Sequence, residues 1–207
     1  MQEKYNVPFI YFFLLADYSN KDRNVSHKRK NVKSIIQQVI KYATTGIHPS
    51  YYANTHTTSL EKEKNRLEKI TGNMVTKSRQ HYIRITLPQS YRILIENGIT
   101  DDYSMGYATE LGFRAGICTP FYFYDLEKEE KTKLKIHPFA TMEATLHYYK
   151  KIVPENGMKH LKPIIDEIKA VNGTFYSVWH NDFLSDYNDY KGWKNVFEEM
   201  CQYSSHN

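Results

Sequence analysis

GIHPSYYA, residues 46–53, stops a very short apolar segment on a histidine, and four later segments repeat the arrangement. They are SRQHY (78–82), DDYSMGYA (101–108), GFRAG (112–116) and VWHN (178–181). Each puts His, Arg, Asp or Tyr where a short apolar run ends, the place where β/α proteins carry their chemistry. Five such endings predict one site assembled from several strands. No aspartate-rich strand end precedes them.

Around these segments, strand and helix signals alternate. VPFIYFFLLA (7–16) is a continuous apolar run rich in aromatic and branched residues and ended by Asp17, as in a fully buried strand. It has the length of a signal-peptide core, but Lys4 sits beside Glu3 and no small-residue cleavage site follows. Ten apolar residues are also too few to cross a membrane. Helices are predicted over 27–44, with Ser26 as N-cap, and over 59–70, closed by Gly72. Further helices are predicted over 88–97, 141–152, 155–171 and 191–203, and strands over 74–85, 99–102, 112–118, 121–124 and 174–179. Alternation through the whole length argues for a parallel sheet with outer helices in a single domain, 1–207. The modest strand lengths suit a barrel better than a wide open sheet.

The chain has 207 residues, 41% of them hydrophobic, enough for a sizeable core. Its net charge of +5 comes from scattered lysines, dense only in HKRKNVK (27–33). That run reads first as a solvated helix face. A nucleic-acid surface would interleave aromatics and more arginine, so no nucleic-acid partner is expected. An anionic polymer remains open as a partner. Cys118 and Cys201 lie too far apart for any metal-site spacing and read as free thiols of a reduced, cytoplasmic-type protein. Tyrosine is unusually frequent at 18 residues; some can line a sugar groove, while half or more are packing. No GxGxxG or P-loop is present, so nothing supports a nucleotide.

The ordered set IHPSYY, LEKEKNRLEKITG, SRQHY, GITDDYSMGYA, GFRAG, TPFYFYDL and VWHN resembles the polysaccharide deacetylases with a nodulation-protein-B-type domain. It looks closest to the branch from surface-polysaccharide gene clusters of Bacteroidetes-like bacteria. The resemblance implies a seven-stranded (β/α) barrel that removes acetyl groups from a polysaccharide or oligosaccharide with a divalent metal, usually Zn²⁺. His48 matches the first histidine of the metal motif, whose second histidine position is Tyr52 here; Ser50 or His56 are the substitutes within reach. Arg79 and Tyr82 match the groove motif, with His81 where the family more often has proline. Asp102 matches the aspartate that supports the catalytic histidine or its neighbour, and His180 matches the general acid. Arg79, Asp102 and His180 are thus the candidate catalytic groups, His48 the metal ligand, and Tyr52, His81, Tyr82 and Arg114 the substrate-contacting set.

The chemistry explains the grouping. Amide or ester hydrolysis needs an activated water, a carboxylate to take its proton, an acid to return one and a donor for the oxyanion. The family's first motif, an Asp-Asp strand end supplying base and one ligand, has no counterpart. The 9–15 strand looks like the family's second, so the barrel is expected to lack its first strand and to need a partner over the open seam. Asp17 and Asp22 follow that strand and are the available replacements. The missing motif makes Met1 an internal start, or the chain a shortened homologue that has lost hydrolysis and binds carbohydrate or assists assembly. Read by residue type alone, His48 caps a strand end as readily as it binds metal, and Arg114 is either a cleft residue or an internal salt-bridge partner. Trp179 and Trp193 read as core, and His137, His147, His160 and His206 as satisfied histidines.

Overall fold

The computed structural model describes residues 2–185 and 187–205; His206 lies outside them. The chain forms two compact units, one of Phe9–Ser104 with Phe121–His137, the other of Met1–Pro8, Met105–Pro120 and Pro138–Asn207.

In chain order the elements are α1 (Gln2–Tyr5), β1 (Ile10–Phe13), α2 (Lys30–Val39), β2 (Thr44–Ile47), α3 (Thr57–Thr71), β3 (Lys77–Ser78), α4 (Gln89–Glu96), β4 (Asp101–Asp102), β5 (Phe121–Asp125), β6 (Glu130–Ile136), β7 (Thr141–Met142), α5 (Gly157–Ala170), β8 (Ser177–Val178) and α6 (Trp193–Ser205). The Phe9–Ser104 unit holds a six-stranded sheet in the order β1-β2-β3-β4-β6-β5. Every pairing in it is parallel except the β5–β6 hairpin. The other unit holds β7 and β8 as a parallel pair. The expected α/β class with a mostly parallel sheet is therefore present; the described residues form eight strands in two sheets.

A strand does stand directly before the His48-bearing one. β1 pairs with β2 in parallel register, Phe13 opposite Ile47, and the backbone N–H of His48 continues the ladder to the Phe13 carbonyl at 2.9 Å. This is the strand predicted over 9–15, and the loop carrying Asp17 and Asp22 follows it.

Helix faces follow the apolar spacing. α3 buries Leu60, Glu63 and Leu67 and closes on Gly72, whose φ of 73° is the left-handed conformation that glycine adopts without steric cost. α2 begins at Lys30 with Arg29 at the cap position, later than the Ser26 start predicted, and buries Ile36 and Val39. The predicted 74–85 strand shrinks to Lys77–Ser78 because a tight turn over His81–Ile83 interrupts it. Residues 112–118 are not a strand; the Gly116 N–H closes a turn on the Phe113 carbonyl at 2.9 Å. The predicted 141–152 helix is instead β7 followed by a π-helix over Thr145–Tyr149. The β7–β8 unit has its core around Leu146, Leu161, Ile165 and Trp193, the last contributed by α6.

Gly46 is held between its neighbours in β1 and β3. A Cβ there would lie 2.6 Å from the Phe12 ring and 2.7 Å from the Lys77 carbonyl oxygen, which is backbone and cannot swing away. Gly46→Ala is expected to destabilise the protein by about 1–3 kcal/mol in urea or thermal unfolding. A neutral result would mean that the three strands pack more loosely at this point.

Candidate functional site

The loop after β2 lacks regular structure, and side chains satisfy its backbone. Buried Glu63 of α3 accepts the Ser50 N–H at 2.9 Å, and buried Asp22 accepts the Tyr51 N–H at 2.9 Å. The Gln80 amide donates to the Ser50 carbonyl at 2.8 Å. Burial raises the Glu63 carboxyl above its ordinary range, against the two hydrogen bonds from Ser50.

A second set holds the segment after β3. Asp102 is fully buried and accepts the Ser78 hydroxyl at 2.7 Å, the Ser104 hydroxyl at 2.8 Å and the Ser104 N–H at 3.0 Å. Burial raises its carboxyl, opposed by these bonds and by the positive charge of Arg79. Ser104 Oγ in turn accepts the Gln80 N–H at 2.8 Å. Asp102 is thereby a positioning group for the segment that carries Arg79, His81 and Tyr82. The Arg79 guanidinium lies 5.9 Å over the Phe12 ring.

These two loops bring His48, His81 and Asp22 together. His48 Nδ1 is hydrogen-bonded to the Arg79 carbonyl, which can only accept, so that nitrogen carries the proton. His48 Nε2 then faces His81 Nδ1 at 3.0 Å. The other nitrogen of His81 lies 3.2 Å from the Lys21 carbonyl and 3.9 Å from Asp22 Oδ1. All these contacts are satisfied together when His81 carries both ring protons, as an imidazolium with Asp22 for counter-ion.

The donor set does not fit the metal implied by the resemblance. His81 presents one nitrogen to His48 and the opposite one towards Asp22, so a single ion cannot collect all three. Tyr52, at the expected second-histidine position, is half exposed, and its carbonyl is bonded to His56 Nδ1 at 2.9 Å. Among the described residues no three His, Cys, Asp or Glu side chains converge as metal ligands. Asp17 is exposed and ion-paired with Lys62 at 2.7 Å and Arg66 at 2.6 Å.

The rings beside His81 form an edge-to-face group. Tyr51 meets Tyr52 at 5.0 Å and Tyr82 at 5.5 Å between ring centres, and His81 meets Tyr82 at 4.5 Å. Arg84 lies 4.4 Å over the Tyr51 ring, and Lys21 is 5.5 Å from its centre. Tyr52 and Tyr82 expose 49% and 58% of their surface, so this aromatic face meets solvent. Tyr82 and Ile83 have φ of 57° and 54°, left-handed values that are costly for any side chain and most so for a β-branched one.

The other unit carries a separate carboxylate–histidine pair. Glu143 directly follows β7, is buried, and its Oε1 accepts both His180 Nδ1–H at 2.5 Å and the His180 backbone N–H at 2.8 Å. With Nδ1 engaged, His180 leaves Nε2 on a ring that is 40% exposed. Glu143, not anticipated from the sequence, is the carboxylate that holds His180. Its one signal was a lone acid within the apolar run FATMEATL. Arg114, also in this unit, donates to the Gly106 carbonyl at 3.4 Å and makes no ion pair among the described residues. His137, in the Phe9–Ser104 unit, is a satisfied buried histidine, bonded to Asp101 at 2.7 Å and stacked 4.3 Å from Tyr103.

No protein-family model matches this chain, and no curated protein matches its sequence. The structure is similar to the crystal structure of a putative polysaccharide deacetylase from Mycobacterium smegmatis, with a TM-score of 0.66 at 12% identity. The match covers 97% of this chain and 68% of that one. The fold is deacetylase-like. Among the described residues no helix is long and apolar enough to cross a membrane.

Strain at Tyr82 yields a test. Glycine there removes a left-handed penalty of about 1–2 kcal/mol while adding about 0.5–1 kcal/mol of backbone entropy. Tyr82→Gly is therefore expected to leave the melting temperature unchanged or slightly raised, and β-branched Tyr82→Val to lower it. The reverse order would show that the ring, rather than the backbone conformation, controls stability at this position.

Proposed function

We propose that this chain is a glycan-directed protein on a deacetylase-like fold, and that it recognises sugar through Tyr51, Tyr52 and Tyr82. The carrying observation is the exposed edge-to-face tyrosine group beside His81, where the resemblance would put converging metal ligands. Tyrosine suits this task because its ring gives flat apolar contact to sugar C–H faces while its hydroxyl stays wet. Arg84 and Lys21 against Tyr51 stiffen the group and add hydrogen-bond donors for sugar oxygens. The polysaccharide or oligosaccharide partner is the same one that the deacetylase resemblance implies.

A second reading, hydrolysis of an acetyl group, is favoured by Glu143 and His180. Glu143 fixes the tautomer of His180, so that Nε2 can pass a proton to a departing amine or alkoxide. The donors near His48 do not converge on a single ion.

Isothermal titration with acetylated chitooligosaccharides tests recognition. Wild type is expected to bind, and Tyr52→Ala or Tyr82→Gly to weaken binding by roughly tenfold, the scale of one lost aromatic contact. His180→Ala is expected to bind as wild type does. Acetate release from the same sugars, assayed with and without Zn²⁺, separates the two readings. Release that disappears in His180→Ala establishes hydrolysis, and wild type that binds no sugar removes the recognition reading.

A further inference from the structure

HKRKNVK, the charge-dense run at 27–33, leads into α2, and the structure sets it beside α3 within the Phe9–Ser104 unit. Two adjoining hollows of about 390 and 450 Å³ lie on this face and share Arg66 and Lys69 as walls. The larger is also lined by Lys33, from the other helix, and by His27. Two helices thus direct lysines at one groove, which a merely solvated face does not require.

The charges there are unequally compensated, the acids being Glu61 in the lining of the smaller hollow and Asp17 beside Arg66. Asp17 is occupied by Lys62 at 2.7 Å and Arg66 at 2.6 Å, and Arg66 also donates to the Leu15 carbonyl at 2.6 Å, which fixes one wall. Among the described residues Lys33 and Lys69 form no ion pair, nor do Lys28, Arg29 and Lys30. The first turn of α2 has no acid, although acids are favoured at that end of a helix. Burial and the nearby Arg66 lower the His27 pKa, in keeping with a positive local field.

We propose that the α2–α3 groove binds an acidic polysaccharide, a carboxylate-bearing glycan whose charges meet Lys33 and Lys69. No Phe, Tyr or Trp lines either hollow, and His27 is the one ring there, which gives bases little to stack on and disfavours nucleic acid. The unpaired cations that line the hollows are lysines, point charges suited to carboxylates spaced along a chain, whereas the guanidinium of Arg66 is already engaged. Gln37 and Ile70 add an amide for sugar hydroxyls and an apolar surface for a ring face. Arg66 also ties the groove to the loop from Leu15 to Asp22, whose Asp22 accepts the Tyr51 N–H. The choice of a glycan among polyanions rests on the function proposed above; the electrostatics of the groove do not.

The test measures binding of the full chain to sodium polygalacturonate at low salt, with neutral dextran and duplex DNA as comparisons. Wild type is expected to bind polygalacturonate, to ignore dextran and to lose affinity as salt rises. Lys33→Gln/Lys69→Gln is expected to bind roughly tenfold more weakly. Lys133→Gln/Lys159→Gln removes the same charge from exposed positions elsewhere and is expected to bind as wild type does. The proposal is overturned if wild type does not bind, if the two double variants behave alike, or if DNA binds more tightly and is the ligand lost with Lys33 and Lys69. Tyr52→Ala and Tyr82→Gly keep the two ideas distinguishable: they are expected to lose neutral chitooligosaccharides while retaining polygalacturonate. Retention even where wild type binds no neutral sugar still supports the groove.

Discussion

Past His48 and Arg79, where the ladders of β2 and β3 still run on, the amides of Ser50, Tyr51 and Gln80 find no strand partner, and buried acceptors take them instead. Asp22 holds the Tyr51 N–H, Glu63 the Ser50 N–H, and Asp102 reaches the Gln80 N–H through Ser104 Oγ. Each unsatisfied buried donor would cost about 1–3 kcal/mol, so irregular loops can sit against a packed sheet only with such partners. The carboxylates pay in desolvation, visible in the raised Glu63 and Asp102 carboxyls. What they secure is position: the same two loops carry His48, His81, Tyr51 and Tyr82.

That fixed framework explains why His81 bridges rather than ligates. Its Nδ1 is turned to His48 and its Nε2 to the loop of Lys21 and Asp22, so the ring completes a hydrogen-bonded chain across two loops. Left-handed φ at Tyr82 and Ile83 turns the backbone sharply just afterwards, leaving the Tyr82 ring exposed and Ile83 buried. Strain of this kind persists only where the surroundings over-determine it. Here the Ile83 N–H bonds the Gln80 carbonyl at 3.0 Å, and Gln80 is itself tied to Ser50 and Ser104.

Much of this was legible in sequence where the signal was local. The 9–15 run does become a strand, β1, but not the fully buried one that its continuous apolar sequence predicts. It lies at the sheet edge with Tyr11 exposed and Ile10, Phe12 and Phe13 only partly buried, whereas Gly72 and Gly98 mark helix ends by their left-handed φ, as expected. His48 and His180 stand just past strand ends, as their flanking apolar residues implied. Signals that depend on partners distant in the chain were not legible. No element is predicted over β6, EKTKLKI, which is a strand because Leu134 and Ile136 point into the core while the lysines alternate outward. Thr141 and Met142 have a helical context but pair with Ser177 and Val178. The contact between His48 and His81 spans 33 positions and follows no metal-motif spacing, so Asp22 and His81 could not be joined to His48 before the loops were placed.

Glu143 is where folding and chemistry oppose each other most directly. Its Oε1 serves two donors from His180, yet its Oε2 is buried without a hydrogen-bond partner among the described residues. A carboxylate chosen for packing alone would be replaced at little cost by a methionine or leucine, since half of its hydrogen-bonding capacity goes unused. The side chain nevertheless sits at the end of β7, and the backbone turns into a π-helix two residues later, an irregular geometry that often accompanies functional sites. Both features become intelligible if the requirement met at this point is the orientation of the His180 ring, with its Nδ1 proton held and its Nε2 left to act.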